Sequence, residues 1–385
     1  MCGEETFILS KDMRILIVTS PTGGHFFPAV EVAKKLLDSS KRIIFITQKG
    51  NKFIDIIKKE FETTDKVKLV LIHSEKFYRK NPFLLIKLLY YLTLSILHSF
   101  IIILKEKPNI VFSTGGYTSF PIIIAAKIFN PFIPVVIHEQ NCVLSLTNKF
   151  LSLFVSKICL GFNIKKGKKF IFTGNPIRTN LLENINKDKI LAQNGFTKEK
   201  LTIFIFGGSQ GAHSINEAII NFLRKTHNKL QQLIQIVHIT GFNDFEYVKE
   251  FYNSINIANI VLPFSNEIHI YYSIADIVVS RAGAMTITEL IYFKKPAVLI
   301  PLPTAAELHQ NHNANFLKKY GCAEVVYQRK NWQEKFEFLL LSFITNPEII
   351  NKMKQNYSYI PQPQISIETV IQKIYIQKYA KRTEH

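Results

Sequence analysis

Short apolar runs recur along the chain, and each enters a polar, often glycine-bearing turn before a helical pattern begins. RILIVT at 14–19 is a predicted strand running into SPTGGH, with a helix expected from about Pro28, because proline suits a first helical turn. Further strands are predicted at 41–47, at 109–113 before GGYTSF and a helix near Pro121, and at 135–137 before HEQN. The second half repeats the plan, with 201–206 entering GGSQGAHS and 275–280 entering RAGAMTITEL. Apolar strands alternating with helices predict parallel, doubly wound α/β sheets.

TGGH at 22–25 is similar to QGAH at 210–213, and STGGYT at 113–118 to SRAGAMT at 280–286. Two similar halves predict twin Rossmann-like domains facing a cleft. The division falls in GNPIRTNLLENINKDK, giving an N-terminal domain 13–176 and a C-terminal domain 177–362. Residues 363–385 are expected as a final helix and tail; the sequence leaves open which half they pack on, the N-terminal domain being one option. The residues before Met13 read as an appendage that lacks the basic and apolar regions of a signal peptide, with Met13 as an alternative start.

One stretch, 83–104, is strongly apolar, broken by no charged or basic residue but Lys87 and His98, and is long enough to span a bilayer. A single span would put the glycine turns at 22–25 and 113–117 on opposite sides of the membrane. The segment therefore reads as a helix packed on the sheet along one side and presented to lipid along the other. Lys80, Lys87, Lys105 and Lys107 would meet anionic headgroups, so that an anionic membrane surface is an expected partner of 80–107. Complete burial and true spanning are the alternatives.

The chain has 385 residues, 47% hydrophobic and 20% charged, enough for two globular cores and too apolar for disorder. Its net charge of +19 favours anionic partners, although a chain rich in Lys, Asn, Ile and Phe together also gains such charge from composition alone. No nucleic-acid-binding motif is present, so no nucleic acid is expected as partner. Cys2, Cys142, Cys159 and Cys322 have no CxxC spacing, which points to a reducing compartment and to no metal site.

Glycine turns that open helices present unpaired N–H groups and the positive end of a helix dipole, a setting for phosphate. Four such turns, two per half, predict two phosphorylated ligands, and none matches GxGxxG or a Walker loop. His25 stands on the first of them, either as a cap or phosphate ligand or as a group aimed at bound substrate. An unperturbed imidazole titrates near about 6.5, suited to general-base work at neutral pH.

TGGHFFPA, GGYTSFP, HEQN, LTNK, TGNPIR, GGSQGA, RAGAMTITEL and HQNHNA stand in the order found in the MurG family, the GT-B glycosyltransferases of peptidoglycan synthesis. The resemblance covers nearly everything from Met13 to about Val326. It implies two Rossmann-like domains of the GT-B fold and inverting transfer of GlcNAc from UDP-GlcNAc to the MurNAc 4-hydroxyl of lipid I, giving lipid II. It also implies a peripheral enzyme on the cytoplasmic face of the inner membrane, with no cofactor. On the donor side it implies Gly207, Gly208, Ser209, Gln210 and Gly211 at the nucleotide diphosphate, Thr286 at a phosphate and Glu289 at the ribose hydroxyls. His309 and Gln310 would stand at the GlcNAc, and Arg178 nearby. On the acceptor side it implies Thr22, Gly23, Gly24, Gly115, Gly116, Tyr117 and Asn141 around the lipid I pyrophosphate. His25 would be the base, with His138 and Glu139 either catalytic or organisers of their loop. No DxD-type carboxylate pair stands in this context, so no metal is expected.

Ser20 and Pro21 stand where the family has two glycines, Phe120 stands in another glycine's place with the prospect of crowding the acceptor, and His213 replaces a common arginine. Competing readings are another lipid-acceptor GT-B glycosyltransferase, a UDP-GlcNAc 2-epimerase, and a non-catalytic nucleotide-sugar-binding membrane subunit.

Overall fold

The computed structural model describes residues 12–72, 82–178, 185–208 and 210–379, the helical residues 82–89 by their backbone alone. The chain divides into two compact units, one formed by Met1–Arg178 with Gln362–His385 and the other by Thr179–Pro361.

In the first unit, β1 (Arg14–Val18), β2 (Arg42–Gln48), β3 (Val67–Ile72), β4 (Ile110–Ser113), β5 (Val135–Glu139), β6 (Lys157–Leu160) and β7 (Phe170–Phe172) form one parallel sheet in the order 3-2-1-4-5-6-7. The strands are apolar on both faces, as a sheet covered by helices on both sides requires. Ile15, Ile17, Phe45 and Phe112 pack into one layer, and Leu16, Val18, Ile44 and Val111 into the other. The strand order reverses between β1 and β4, so the crevice beyond their carboxyl ends is the expected ligand position.

Helix α1 (Gly23–Leu36) follows β1 and begins earlier than the proline suggests. The Thr22 carbonyl already accepts the N–H groups of His25 and Phe26, at 3.0 and 2.9 Å, so both glycines are helical and Pro28 lies one turn inside. Strand β5 likewise runs two residues past the expected end, taking His138 and Glu139 into the sheet.

The apolar stretch forms α2 (Pro82–Glu106), packed beside α3 (Ser119–Phe129). Its inner side buries Ser95, Ser99, Ile102, Ile103 and Glu106, while Tyr90, Leu94, Leu97, Ile101 and Leu104 form an exposed stripe at spacings of three and four. Complete burial is thus excluded, and no helix among the described residues is long and apolar enough to cross a membrane. Lys80 and the side chain of Lys87 lie outside the described residues. Glu106 is held at the inner end by Lys68 at 2.6 Å and Arg42 at 3.6 Å.

The C-terminal helix, Ile367–Tyr379, belongs to the first unit and buries Ile367, Val370 and Ile371 against the layer of Ile15 and Phe112. Glu368 meets Lys35 at 3.2 Å, Gln372 donates to the Ser39 hydroxyl at 2.9 Å, and the Tyr379 hydroxyl donates to the Asn109 carbonyl at 2.9 Å.

The second unit is a six-stranded parallel sheet of β8 (Leu201–Phe206), β9 (Ile234–Ile239), β10 (Asn259–Leu262), β11 (Ile277–Ser280), β12 (Ala297–Leu299) and β13 (Ala323–Val325) in the order 10-9-8-11-12-13. Its reversal lies between β8 and β11, the same plan as in the first unit. Both units are therefore the doubly wound Rossmann-like sheets of the GT-B fold.

Ile371→Ala should remove about 2–5 kcal/mol of stability, since the side chain is wholly buried. The loss will appear as faster hydrogen exchange of the β1 and β4 amides; unchanged protection would mean that the final helix contributes nothing to the first core.

Candidate active site

Two turns meet beyond β1 and β4. The first, Thr19–Thr22, leads into α1, whose Gly23 and Gly24 N–H groups have no protein acceptor among the described residues. The second, Thr114–Thr118, carries Gly115 and Gly116 at φ of 87° and 83°. A Cβ on Gly116 would stand 2.1 Å from the Ser20 hydroxyl oxygen, and one on Gly115 2.9 Å from the Asn148 amide. The Gly115 N–H is already donated to the Ser113 hydroxyl at 3.0 Å, so of this pair only Gly116 keeps its N–H for a ligand.

Ser20 explains its own departure from the family pattern. It is buried, and its hydroxyl lies 3.2 Å from the Gly115 carbonyl and 3.3 Å from the Thr118 hydroxyl, tying the first turn to the second. The Phe120 ring packs on that of Phe150, with centroids 5.4 Å apart. Tyr117 reaches the other way and donates its hydroxyl to the Gln48 side chain at 2.6 Å.

His25 sits on the first turn of α1, half-buried. Its Nδ1–H donates to the Thr114 carbonyl at 2.6 Å, and the Gln140 amide donates to the same carbonyl at 2.8 Å. With Nδ1 as the donor, Nε2 carries the lone pair. Nε2 lies 3.6 Å from the position a Cβ on Gly116 would take, so it faces the glycine turn.

His138 and Glu139 are not placed to touch substrate. His138 is fully buried, and burial, with the charge of His25 adding, lowers its pKa to about 3. It is a neutral core residue lying against Gly174 and Asn175. Glu139 is also buried, and its two oxygens accept four donors: the Asn141 N–H and side-chain amide at 3.1 Å each, and the Ser145 N–H and Asn148 amide at 2.8 Å each. It organises its loop, and Asn141 spends its amide on that same carboxylate. Arg178, expected beside the donor, belongs to the first unit, with its guanidinium carbon 4.8 Å from the centre of the Phe27 ring.

In the second unit, Gly207 admits no side chain, since a Cβ would stand 2.2 Å from the Ala212 nitrogen. Gly208 and Gly211 have φ of 89° and 75°, and Gly211 passes so close to the Thr240 carbonyl that only glycine fits. Ser209 lies outside the described residues, while Gln210 beside it is exposed. The turn opens α4 (His213–Lys225), where His213 stands 3.1 Å from both Asp244 oxygens and Asn216 ties Asp244 to the Thr240 carbonyl.

Beyond β11, Gly283 precedes α5 (Ala284–Phe293). Thr286 lies in its first turn and Glu289 one turn on, buried, accepting the Tyr272 hydroxyl at 3.1 Å. A third loop follows β12, in which Glu307 and Leu308 have φ of 52° and 51° before α6 (His309–Lys319). Gln310 holds that loop by accepting the Leu302 N–H at 2.9 Å, and His309 lies 2.6 Å from the Ala306 carbonyl. Among the described residues no group of three His, Cys, Asp or Glu side chains is placed to hold a metal ion.

Several residues that shape these turns carried no signal in the sequence. Arg281 locks the second-unit turns by donating to the Ile300 carbonyl, the Gln328 side chain and the Ser214 hydroxyl at 3.0, 2.7 and 3.0 Å. Phe242 and Phe264 stack in parallel with centroids 6.3 Å apart, just past β9 and β10 on the ligand side of the sheet. Gln140 and Asn148 lay inside quoted motifs, but only tertiary contacts give them roles.

Residues 15–160 match the glycosyltransferase family 28 N-terminal domain and residues 202–367 the family 28 C-terminal domain. A UDP-N-acetylglucosamine–N-acetylmuramyl-(pentapeptide) pyrophosphoryl-undecaprenol N-acetylglucosamine transferase of Caldanaerobacter subterraneus subsp. tengcongensis is 35% identical over 362 residues, 89% of this chain and 94% of its own. The enzyme of the same name from Thermodesulfovibrio yellowstonii is 36% identical over 352 residues, covering 89% and 93%. Among solved structures, MurG of Acinetobacter baumannii superposes with a TM-score of 0.73 at 26% identity, covering 94% of this chain and all of that one. Matched in both units and along nearly its whole length, the chain belongs to glycosyltransferase family 28, among its MurG enzymes.

Proposed function

We propose that this protein transfers GlcNAc from UDP-GlcNAc to the MurNAc 4-hydroxyl of lipid I, giving lipid II. The observation that carries this reading is the near full-length similarity, at 31–36% identity, to enzymes named for that reaction. The intact glycine turns in both units support it.

The first unit takes the acceptor. Its pyrophosphate lies on the N–H groups of Gly23, Gly24 and Gly116, at the positive end of α1. His25 Nε2, oriented by the Thr114 carbonyl behind it, accepts the proton of the 4-hydroxyl as that oxygen attacks the anomeric carbon. The C1–O bond to UDP breaks on the opposite face, so an α-linked donor gives a β-linked product. The second unit takes the donor: the turn at 207–211 and Thr286 hold the phosphates, Glu289 the ribose and Gln310 the sugar. Backbone N–H groups and helix dipoles stabilise the charge that grows on the departing diphosphate, so no metal is required.

We further propose a peripheral seat on the cytoplasmic face of the membrane. Phe129, Phe150 and Phe154 add further exposed rings, Phe129 in contact with Phe100 of α2 at 6.2 Å and Phe150 with Phe120 and Phe154 at 5.4 and 5.6 Å. Phe132, 83% exposed, projects from a turn held by Lys127, which donates to the Pro131 and Ile133 carbonyls. An apolar patch of this kind bordered by Lys105, Lys107 and Lys149 suits an anionic bilayer surface.

His25→Ala should lower kcat by ~10²–10⁴-fold on a short-chain lipid I analogue while leaving the UDP-GlcNAc Kd within twofold. A small loss in kcat would make His25 a phosphate ligand only. Turnover in excess EDTA should equal turnover with added magnesium, and stimulation by the metal would overturn the metal-free reading. Leu97→Glu with Ile101→Glu should abolish binding to vesicles containing phosphatidylglycerol yet spare turnover of a water-soluble acceptor; retained vesicle binding would count against the patch.

A further inference from the structure

The second unit has a basic cavity of about 240 Å³ at the amino-terminal edge of its sheet, the edge opposite the donor turns. Thr202 at the start of β8, Asp276 just before β11 and Pro296 just before β12 form its floor. Six lysines line it, Lys187, Lys198, Lys200, Lys294, Lys295 and Lys354, against two aspartates. Both aspartates are engaged: Asp188 pairs with Lys198 at 2.7 Å, and Asp276 accepts the Thr202 N–H at 2.8 Å. The ammonium groups of Lys187, Lys200, Lys294 and Lys354 have no hydrogen-bond or ion-pair partner among the described residues.

Two features set this apart from scattered surface lysines. Lys294 occupies the position after α5 at φ 50° and ψ 48°, a left-handed conformation that favours glycine, so the cavity keeps a lysine where the backbone would prefer none. Lys295 is buried beneath, donating to the Ser273 and Ala275 carbonyls at 3.2 and 2.6 Å. Six lysines thus face two carboxylates, of which Asp276 is shared among Lys295, Lys354 and Lys187, and the lining keeps an excess of positive charge.

We propose that this cavity is a second anion site, which binds a soluble oligophosphate independently of the donor site. The lining contains lysines and no arginine. Ammonium groups bind phosphoryl oxygens as point charges on flexible stems, so that several of them can follow a chain of phosphoryl groups without a fixed bidentate geometry. The apolar wall residues, Leu191, Ile274 and Ile350, are themselves buried, which leaves the site without the greasy rim of a lipid-headgroup surface.

The site carries a proton linkage. Burial first, then the charge of Lys187, with Asp276 opposing and Lys354 adding a smaller push, together lower the Lys295 pKa to about 7. From the remaining packed element, Tyr357 presents a neutral hydroxyl, which donates to the Lys295 carbonyl at 2.5 Å. An added anion favours the charged amine and raises that pKa, so binding takes up a proton at pH 8 and weakens as pH rises through about 7.

Titration calorimetry of the full chain with inorganic tripolyphosphate tests this. Saturable one-to-one binding is expected at pH 7, unaffected by saturating UDP. It should be at least ~10-fold weaker in Lys187→Gln with Lys354→Gln, and unchanged in the control Lys165→Gln with Lys168→Gln. Calorimetry in two buffers of different ionisation enthalpy should report proton uptake at pH 8. UDP-GlcNAc binding by the double variant checks that the unit is folded. Equal weakening in the control pair would reduce the effect to diffuse net charge and overturn the proposal, as would displacement of tripolyphosphate by UDP. Loss of phosphatidylglycerol-vesicle binding without loss of tripolyphosphate affinity in the double variant would also refute it.

Discussion

A wholly parallel sheet must be covered on both faces, and most of this architecture follows from that requirement. In the first unit the strands alternate Ile15 and Ile17 with Leu16 and Val18, so neither layer can face water. One face is covered by α2 and α3. The other needs α1 together with a helix that arrives only after the entire second unit has been traversed. Because parallel connections return every strand in one direction, the glycine turns that follow β1, β4, β8 and β11 all collect at the carboxyl edges of their sheets, where ligands of such folds bind.

At that carboxyl edge the chain solves a second problem, that of polar groups in an apolar setting. Glu139 lies at the end of a buried strand and would be costly there alone; four donors from the loop and short helix that follow it surround it. Asn148, one of the four, also closes the space beside Gly115. The turn at 114–118 is thus fixed from behind by a carboxylate and an amide, and His25 is oriented by a carbonyl of that same turn.

The fold and the position of the glycine turns were legible in the sequence, because apolar runs and glycines report backbone needs directly. TGGH and GGYT mark helix openings whatever surrounds them. Side-chain roles were less legible. His138 and Glu139 sit next to polar Gln140 and Asn141 in the sequence, yet strand β5 carries the first two into the core. Arg178 reads as a donor-side cation from its motif, and its motif gives no sign that its guanidinium lies over the Phe27 ring of the first unit. Ser20 resembles a defect in a glycine loop until Gly116 is seen to leave room for it. Alternation and spacing reveal periodicity, while contacts between residues a hundred positions apart leave no local trace.

The helix Ile367–Tyr379 gives synthesis an order of events. When the ribosome has completed the first unit's seven strands, Ile15, Phe45 and Phe112 still lack part of their cover, and the chain must extend through Thr179–Pro361 before it arrives. At translation rates of about 5–20 residues per second that interval is roughly 10–40 s. For that time the nascent first sheet carries an open greasy face. A ribosome that stalls before the last helix releases a protein with every glycine turn in place and an unfinished core.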